Sequence, residues 1–170
     1  MRLFVAVRPS VDAADVLARL PRPEEPRVRW LDRSQWHVTL RFLGDADPDE
    51  VATSLAAAPW ADLAPVHVTL GPATGLLGGA MMVPVAGCEG LADRMLAATR
   101  HLGQPPEDRP FVGHLTLGRF RDEPPPGSIG LPVSTSFRVD EVVLTASRTL
   151  PEGAVHDVMA RFPLGGGPGG

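Results

Sequence analysis

The sequence contains no lysine and no tyrosine, so all 16 of its basic side chains are arginines. Catalysis by a lysine amine or a tyrosine phenol is therefore excluded. The arginines are outnumbered by 20 acidic residues, which gives a net charge of −4. A mildly acidic chain lacks the broad basic surface with which proteins coat duplex DNA. It can still build a small anion site, because the guanidinium group binds phosphate in a fixed fork geometry.

Cysteine is equally scarce, since Cys88 is the only one in the sequence. A single cysteine excludes an intramolecular disulfide and a zinc cluster built on cysteines. The apolar run at the N-terminus, residues 3–7, is too short for the core of a signal peptide or for a membrane span. We therefore expect a cytoplasmic protein that does not associate with membranes.

The remaining composition, 44% hydrophobic and 21% charged over 170 residues, is typical of one globular domain. We expect a single domain over residues 1–164 that acts as a monomer. The glycine-rich tail over residues 165–170 has no side chains to bury, so it is predicted to be flexible.

Nineteen prolines and eighteen glycines divide the chain into short elements. Helices are predicted after Ser10, after Asp47 with Pro48 in the first turn, and from Gly90. Strands are predicted over residues 2–8, 28–31, 36–43, 66–70, 81–85, 111–120, 137–147 and 155–162. Helices mixed with closely spaced strands indicate an α+β fold with antiparallel pairing, because parallel strands need longer connections.

The pattern His-x-Thr-Leu occurs three times, at residues 37–40, 67–70 and 114–117. In a strand, residues i and i+2 point to the same face, so each copy presents an imidazole and a hydroxyl together. For any single copy, an ordinary half-buried strand is a better explanation of the pattern than a functional site. Three copies in a chain with five histidines favour a function.

Two such motifs facing each other would have a specific chemistry. One imidazole can act as general base and the other as general acid near neutral pH. The threonine hydroxyls can donate hydrogen bonds to phosphoryl oxygens. This arrangement can cleave a phosphodiester without a metal or another cofactor. Zinc is less favoured, because His-x-Thr supplies one good ligand per strand.

Two segments carry a family resemblance, WHVTLRFLG at residues 36–44 and FVGHLTLGR at residues 111–119. They resemble the paired signatures of the two-histidine (2H) phosphoesterases, in particular the RNA 2′,3′-cyclic phosphodiesterases, also called 2′-5′ RNA ligases. Residues 2–7 and 139–147 are similar to the opening and late strands of that family. The resemblance implies a bilobal, LigT-like α+β fold. In it, two antiparallel sheets with outer helices are related by a pseudo-twofold axis at a central cleft.

The resemblance also implies the site residues. His37 and His114 are the expected catalytic pair, and Thr39 and Thr116 are expected to bind the substrate phosphate. The arginines that follow the motifs, Arg41 and Arg119, are candidates for further phosphate binding, with Arg119 the better one.

The other candidates are interpreted as structural. His67 lies in a region that has no catalytic role in the family, and we expect His156 to pack or to lie at the surface. Ser147 is either a site residue or an ordinary strand-end serine. Gly113 stands where family members often have proline, and we expect it to loosen the backbone before His114.

The implied activity is metal-independent hydrolysis of a 2′,3′-cyclic phosphate at an RNA end to a 2′-phosphomonoester. The RNA could be a tRNA fragment, and reverse 2′-5′ ligation is a second implied activity. We assign His114 as the base and His37 as the acid, although the near-symmetry of the motifs leaves the opposite assignment open. Two alternatives also stay open: a 2H phosphoesterase for a small cyclic nucleotide or ADP-ribose cyclic phosphate, and a non-catalytic module that binds RNA ends.

Overall fold

The computed structural model describes residues 1–165, which form an α+β fold with a curled antiparallel sheet, as predicted. Its helices are α1 (Val11–Ala18), α2 (Pro48–Ala56) and α3 (Glu89–Thr99). Its strands are β1 (Arg2–Val7), β2 (Val28–Trp30), β3 (Val38–Asp45), β4 (Val66–Leu70), β5 (Gly75–Leu77), β6 (Ala80–Ala86), β7 (His114–Phe120), β8 (Thr135–Val139), β9 (Glu141–Leu150) and β10 (Gly153–Pro163). No helix within residues 1–165 has the length and apolar content that crossing a membrane requires.

The first two helices begin where their sequences predict. The Ser10 hydroxyl accepts a hydrogen bond from the backbone N–H of Ala13, which caps α1. The Asp47 carboxylate accepts from the N–H groups of Asp49 and Glu50, and Pro48 occupies the first turn of α2. These caps define where α1 begins after β1 and where α2 begins after β3.

The strand order β10-β9-β1-β3-β7-β6-β4-β8 divides into two halves of four strands. The motif strands β3 and β7 are the innermost strand of each half. Each is reached from its neighbour in the sheet through a helix, α1 between β1 and β3, and α3 between β6 and β7. This equivalence places the pseudo-twofold axis between β3 and β7 and confirms the predicted bilobal arrangement.

The two faces of the sheet differ in what covers them. One face packs against the helices to form the main core, where Val5, Val38 and Leu115 meet helix residues such as Leu17 and Met95. The opposite face carries a small apolar cluster of Phe4, Ala6 and Val143. We call this opposite face, which holds His37, Thr39, His114 and Thr116, the site face.

Three details differ from the prediction. The segment 137–147 forms two strands, because Asp140 ends β8 before the chain crosses to β9 beside β1. The glycine-rich connection before β6 contains the unpredicted strand β5. Of the predicted flexible tail, residues 166–170 lie outside the described residues.

Candidate active site

The two motifs meet at one cross-strand pair. Val38 of β3 and Leu115 of β7 are the register partners that join these strands, and both are fully buried in the core. Residues directly opposite each other in an antiparallel pair point to the same face. The neighbours of this pair therefore point to the site face, namely His37, Thr39, His114 and Thr116.

The antiparallel register also sets how these four side chains lie relative to one another. Continued by one residue in each direction, it places His37 across from Thr116 and Thr39 across from His114. All four residues are half-buried. The structure thus brings the two sequence-distant motifs together.

Both imidazoles are held by the same type of contact. Nδ1 of His37 lies 2.6 Å from the Gln35 backbone oxygen, and Nδ1 of His114 lies 2.8 Å from that of Val112. Because a carbonyl oxygen only accepts, each Nδ1 must carry the proton. Nε2 is therefore the free nitrogen of each neutral ring, and that of His37 lies 3.1 Å from the Thr39 hydroxyl.

His37 lies in a ring cluster. Phe4 stacks on it with a centroid distance of 4.7 Å, and His156 meets it edge-on at 5.2 Å. Burial lowers the pKa of His37 to about 4, and the nearby His156 and Arg8 contribute in the same direction. Burial also lowers the pKa of His156. Near neutral pH, His37 is therefore an uncharged base.

Arg8 is a site-face residue that the sequence analysis did not identify. Its guanidinium donates a 2.7 Å hydrogen bond to the Ser34 backbone oxygen and lines a pocket with His37 and His156. The signal was present, because the period of two along β1 continues from Phe4 and Ala6 to Arg8. Because alternate residues of a strand share a face, Arg8 lies on the site face with Phe4 and Ala6.

The expectation that Arg41 binds phosphate is corrected by the structure. Thr39 pairs with Ala6 and Arg41 with Val5, so Leu40 is an extra residue in β3, a bulge that turns Arg41 to the core face. Arg41 is 6% exposed, and its guanidinium donates to the backbone oxygens of Phe42, Leu102 and Gln104. Arg41 therefore anchors the turn after α3 beneath the sheet.

A similar bulge has the opposite result for Arg119. Thr116 pairs with Met82 and Gly118 with Met81, so Leu117 is the extra residue in β7. The bulge turns Gly118 to the core face, where a Cβ would lie 2.8 Å from the Trp30 ring. Arg119 is exposed on the same face as His114 and Thr116.

The remaining histidines and Ser147 are placed as follows. His67 is exposed on β4, which is separated from β7 by β6, roughly 10 Å away across two strands. Its register partner is Arg138, so it does not face His37. His101 follows α3 and is exposed. Ser147 pairs with His156 and shares the site face with it.

Gly113 does not leave a gap before His114. A Cβ at this position would lie 2.2 Å from the Val85 backbone oxygen, so any side chain there would push β6 away. The Val85 N–H donates a 2.9 Å hydrogen bond to the Gly113 oxygen. Contrary to our expectation, the glycine permits close contact with β6 and thereby supports the position of His114.

A cofactor or metal would have few ligands at this site. Within residues 1–165, no three histidine, cysteine, aspartate or glutamate side chains cluster as a metal site requires. The donors on the site face are imidazoles, hydroxyls and guanidinium groups. Such a set suits an anion that accepts hydrogen bonds.

Comparison with known proteins agrees with this geometry. The chain is 29% identical to an RNA 2′,3′-cyclic phosphodiesterase of Geobacillus stearothermophilus, in an alignment covering 98% of this chain and 58% of that protein. The fold is similar to that of TT0787 of Thermus thermophilus, with 29% identity, a TM-score of 0.82, and coverage of 98% of this chain and 99% of that one.

A second solved structure, E. coli LigT complexed with 3′-AMP, is 24% identical with a TM-score of 0.76, over 96% of this chain and 97% of that one. This similarity confirms the predicted LigT-like fold. Residues 7–149 match the 2′-5′ RNA ligase superfamily, a range that runs from the end of β1 to the end of β9 and includes both motifs. The chain therefore belongs to the 2′-5′ RNA ligase superfamily, as the two motifs predict.

Proposed function

We propose that this chain hydrolyses a 2′,3′-cyclic phosphate at an RNA end to a 2′-phosphomonoester, without a metal ion. The observation that carries the proposal is the pairing of the two His-x-Thr motifs through Val38 and Leu115 on one face of the sheet. The relative from Geobacillus stearothermophilus, named an RNA 2′,3′-cyclic phosphodiesterase, supports the same chemistry.

In the proposed reaction, the cyclic phosphate lies between the two imidazoles. One histidine takes a proton from a water molecule as its oxygen attacks phosphorus. The other histidine gives a proton to the 3′ oxygen as the bond from phosphorus to that oxygen breaks. The phosphate then stays on the 2′ oxygen, and each positioned acid or base contributes about 10²–10⁴-fold to the rate.

The structure favours His37 as the base, the reverse of the assignment from the sequence. Burial lowers the pKa of His37 to about 4, so this ring is unprotonated at neutral pH and can accept a proton from water. The Nδ1 contact with the Gln35 oxygen directs Nε2 as the accepting atom. His114 is then the acid, and its Nδ1 contact with the Val112 oxygen leaves Nε2 to donate.

The other site-face groups would bind the phosphate oxygens. The hydroxyls of Thr39 and Thr116 can donate hydrogen bonds to the two non-bridging oxygens, which gain charge in the transition state. Arg119 would supply positive potential at the edge of the site.

Reverse ligation follows from the same groups as a second proposed activity. If an RNA 5′-hydroxyl takes the place of water and the 3′ oxygen leaves, the product is a 2′-5′ linkage. Water is far more concentrated than RNA ends, so we expect hydrolysis to dominate.

One assay tests the proposed function. The purified chain is incubated in excess chelator with a short RNA that ends in a 2′,3′-cyclic phosphate, and the position of the phosphate in the product is identified. We expect a 2′-phosphomonoester from the wild type and none from His114→Ala. A 3′-phosphate product, or loss of activity in chelator, would contradict the proposal. Binding of a 2′-phosphate end without turnover would instead support the non-catalytic alternative.

A further inference from the structure

Two arginines lie side by side at the edge of the site face. Arg29 of β2 and Arg119 of β7 are direct register partners, and both are exposed. Their neighbours Trp30 and Gly118 form the next pair and pack towards the core, so the two arginines point the other way. Directly opposite side chains in an antiparallel pair are within contact distance of each other. The two arginine side chains therefore leave the sheet next to one another.

This pair has no negative partner in the part of the chain that the structure describes. Six other arginines form ion pairs with carboxylates. Neither Arg29 nor Arg119 has an ion pair or a side-chain hydrogen bond within residues 1–165. Like charges directly across a strand pair are destabilising. An acidic protein that keeps two such cations together therefore presents a site for an external anion.

A chain of contacts connects Arg29 to the His37 imidazole. A Cβ on Gly153 would lie 3.1 Å from Nη1 of Arg29, so the guanidinium lies against the start of β10. The next residue, Ala154, accepts a 2.6 Å hydrogen bond from Gln35 through its backbone oxygen. The Gln35 oxygen in turn holds Nδ1 of His37.

Arg119 is offset along β7 from the proposed reacting groups. Arg119 follows Thr116 by three residues, a span of roughly 10 Å along an extended strand. A backbone offset of this size favours contact with a different phosphate from the one between the imidazoles. The two arginines can reach the next phosphate along a nucleic acid strand.

We propose that Arg29 and Arg119 form a second phosphate subsite, which binds the 5′-phosphate of the nucleotide whose 2′,3′-cyclic phosphate is cleaved. This inference rests on the proposed function and specifies its substrate class. In RNA, that 5′-phosphate is the phosphodiester that joins the terminal nucleotide to the preceding one. The subsite therefore selects an RNA end, or a 5′-phosphorylated nucleotide, over a nucleoside cyclic phosphate.

The test compares two substrates that differ by one phosphate, adenosine 2′,3′-cyclic phosphate and its 5′-phosphorylated form. We expect the wild type to prefer the 5′-phosphorylated substrate in kcat/KM. In Arg29→Gln we expect this preference to fall about tenfold, since hydrogen bonds between charged groups are the strong ones. The change should appear in KM and leave the ratio of the two kcat values unaltered, because the second phosphate is remote from the reacting bonds.

Arg94→Gln is the matched control. Arg94 is an exposed arginine on α3, without an ion pair in the described residues, and α3 packs on the core face. We expect this variant to keep the wild-type preference. Arg29→Lys retains the charge without the fork geometry, so it should recover only part of the preference. Thermal unfolding checks that all variants fold.

A binding measurement separates this inference from the proposed hydrolysis. Calorimetry compares adenosine 2′,5′-bisphosphate with adenosine 2′-monophosphate, which are the products of the two substrates. Tighter binding of the bisphosphate that depends on Arg29 supports the subsite even if neither substrate is hydrolysed. Equal affinity for the two products overturns it, and so does an Arg29→Gln variant that loses the same factor on both substrates.

Discussion

The motif strands β3 and β7 contain the same tetrapeptide pattern and the same kind of bulge, yet they place their arginines on opposite faces. In each strand the bulged residue is the leucine after the threonine, Leu40 or Leu117. In β3 the arginine follows at once and turns into the core, whereas in β7 Gly118 takes that inward position. One inserted glycine therefore separates a structural arginine from a site arginine.

The comparison shows how a near-symmetric fold can support an asymmetric site. The histidines and threonines precede the bulges, so they keep equivalent positions in both halves. After the bulge, the face on which a side chain lies depends on its exact position along the strand, so a shift of one residue moves it to the other face. A sequence motif that ends at the leucine therefore predicts the proposed catalytic groups but not the groups around them.

The largest expected effect is the loss of kcat when either motif histidine is replaced, which tests whether the two histidines are equally necessary. His37→Ala and His114→Ala should each lower kcat by about 10²–10⁴-fold, because each removes an acid or a base. The measurement is hydrolysis of adenosine 2′,3′-cyclic phosphate by protein whose folding has been checked by circular dichroism.

His67→Ala is the control, since this residue has the same tetrapeptide context on the distant strand β4. We expect its turnover to match that of the wild type. A folded but inactive His67→Ala protein would contradict the assignment of the site to β3 and β7.

A second test concerns the burial of His37 and its effect on stability at different pH values. The folded pKa of His37 is about 4, below its ordinary value of 6.5, so the unfolded chain binds an extra proton between these values. The contribution of His37 to stability is therefore complete above pH 6.5. It decreases by about 3 kcal/mol as the pH falls to 4.

The corresponding variant is His37→Gln, which removes this titration. Urea unfolding gives the free energy of unfolding of each protein at pH 7 and at pH 4. The decrease between these two pH values should be about 3 kcal/mol smaller in the variant than in the wild type. Equal pH dependence in the two proteins would show that His37 is not held in its uncharged form.

The threonines allow the two halves to be compared by their hydroxyls. Thr39→Val and Thr116→Val keep the shape of the side chain and remove the donor, so each should lower kcat about 10²-fold. Serine at either position should retain most of the activity. If only one valine variant loses activity, the phosphate is bound mainly by one half.

The smallest expected effects compare the two arginines. Arg41→Gln should lower the free energy of unfolding by about 1–3 kcal/mol, because buried backbone oxygens lose their donors. Arg119→Gln should raise KM for the 5′-phosphorylated substrate about tenfold with little change in stability, since its exposed guanidinium has no partner in the described residues. Urea unfolding and steady-state kinetics measure the two effects, and a KM effect in Arg41→Gln with unchanged stability would contradict the placement of Arg41 in the core.

Much of the fold was predictable because its signals are local. Ser10 and Asp47 cap helices, and alternation of apolar residues predicts the buried face of β4. The division of residues 137–147 into two strands was missed, because the apolar residues on both sides of Asp140 read as one run. β5 was missed because it is short and lies between glycines.

The site was predictable only as far as the motifs extend. His37 and His67 begin identical tetrapeptides, and their different surroundings arise from strand order, which no local pattern contains. The bulges at Leu40 and Leu117 leave no mark in the sequence, because leucine is equally common in regular strands. The close contact of Arg29 with Gly153 depends on packing between segments that are far apart in the chain.

The shared Nδ1 contacts have a consequence for successive turnovers. Because both rings present the same nitrogen to the substrate, the proposed hydrolysis ends with His37 protonated and His114 neutral, the mirror image of the starting state. A proton must therefore pass from one ring to the solvent, and another must return to the other ring, before the next substrate is cleaved. Burial makes the His37 imidazolium more acidic than an ordinary imidazolium, so its loss of a proton to solvent at neutral pH is downhill, and the environment that prepares the base also regenerates it.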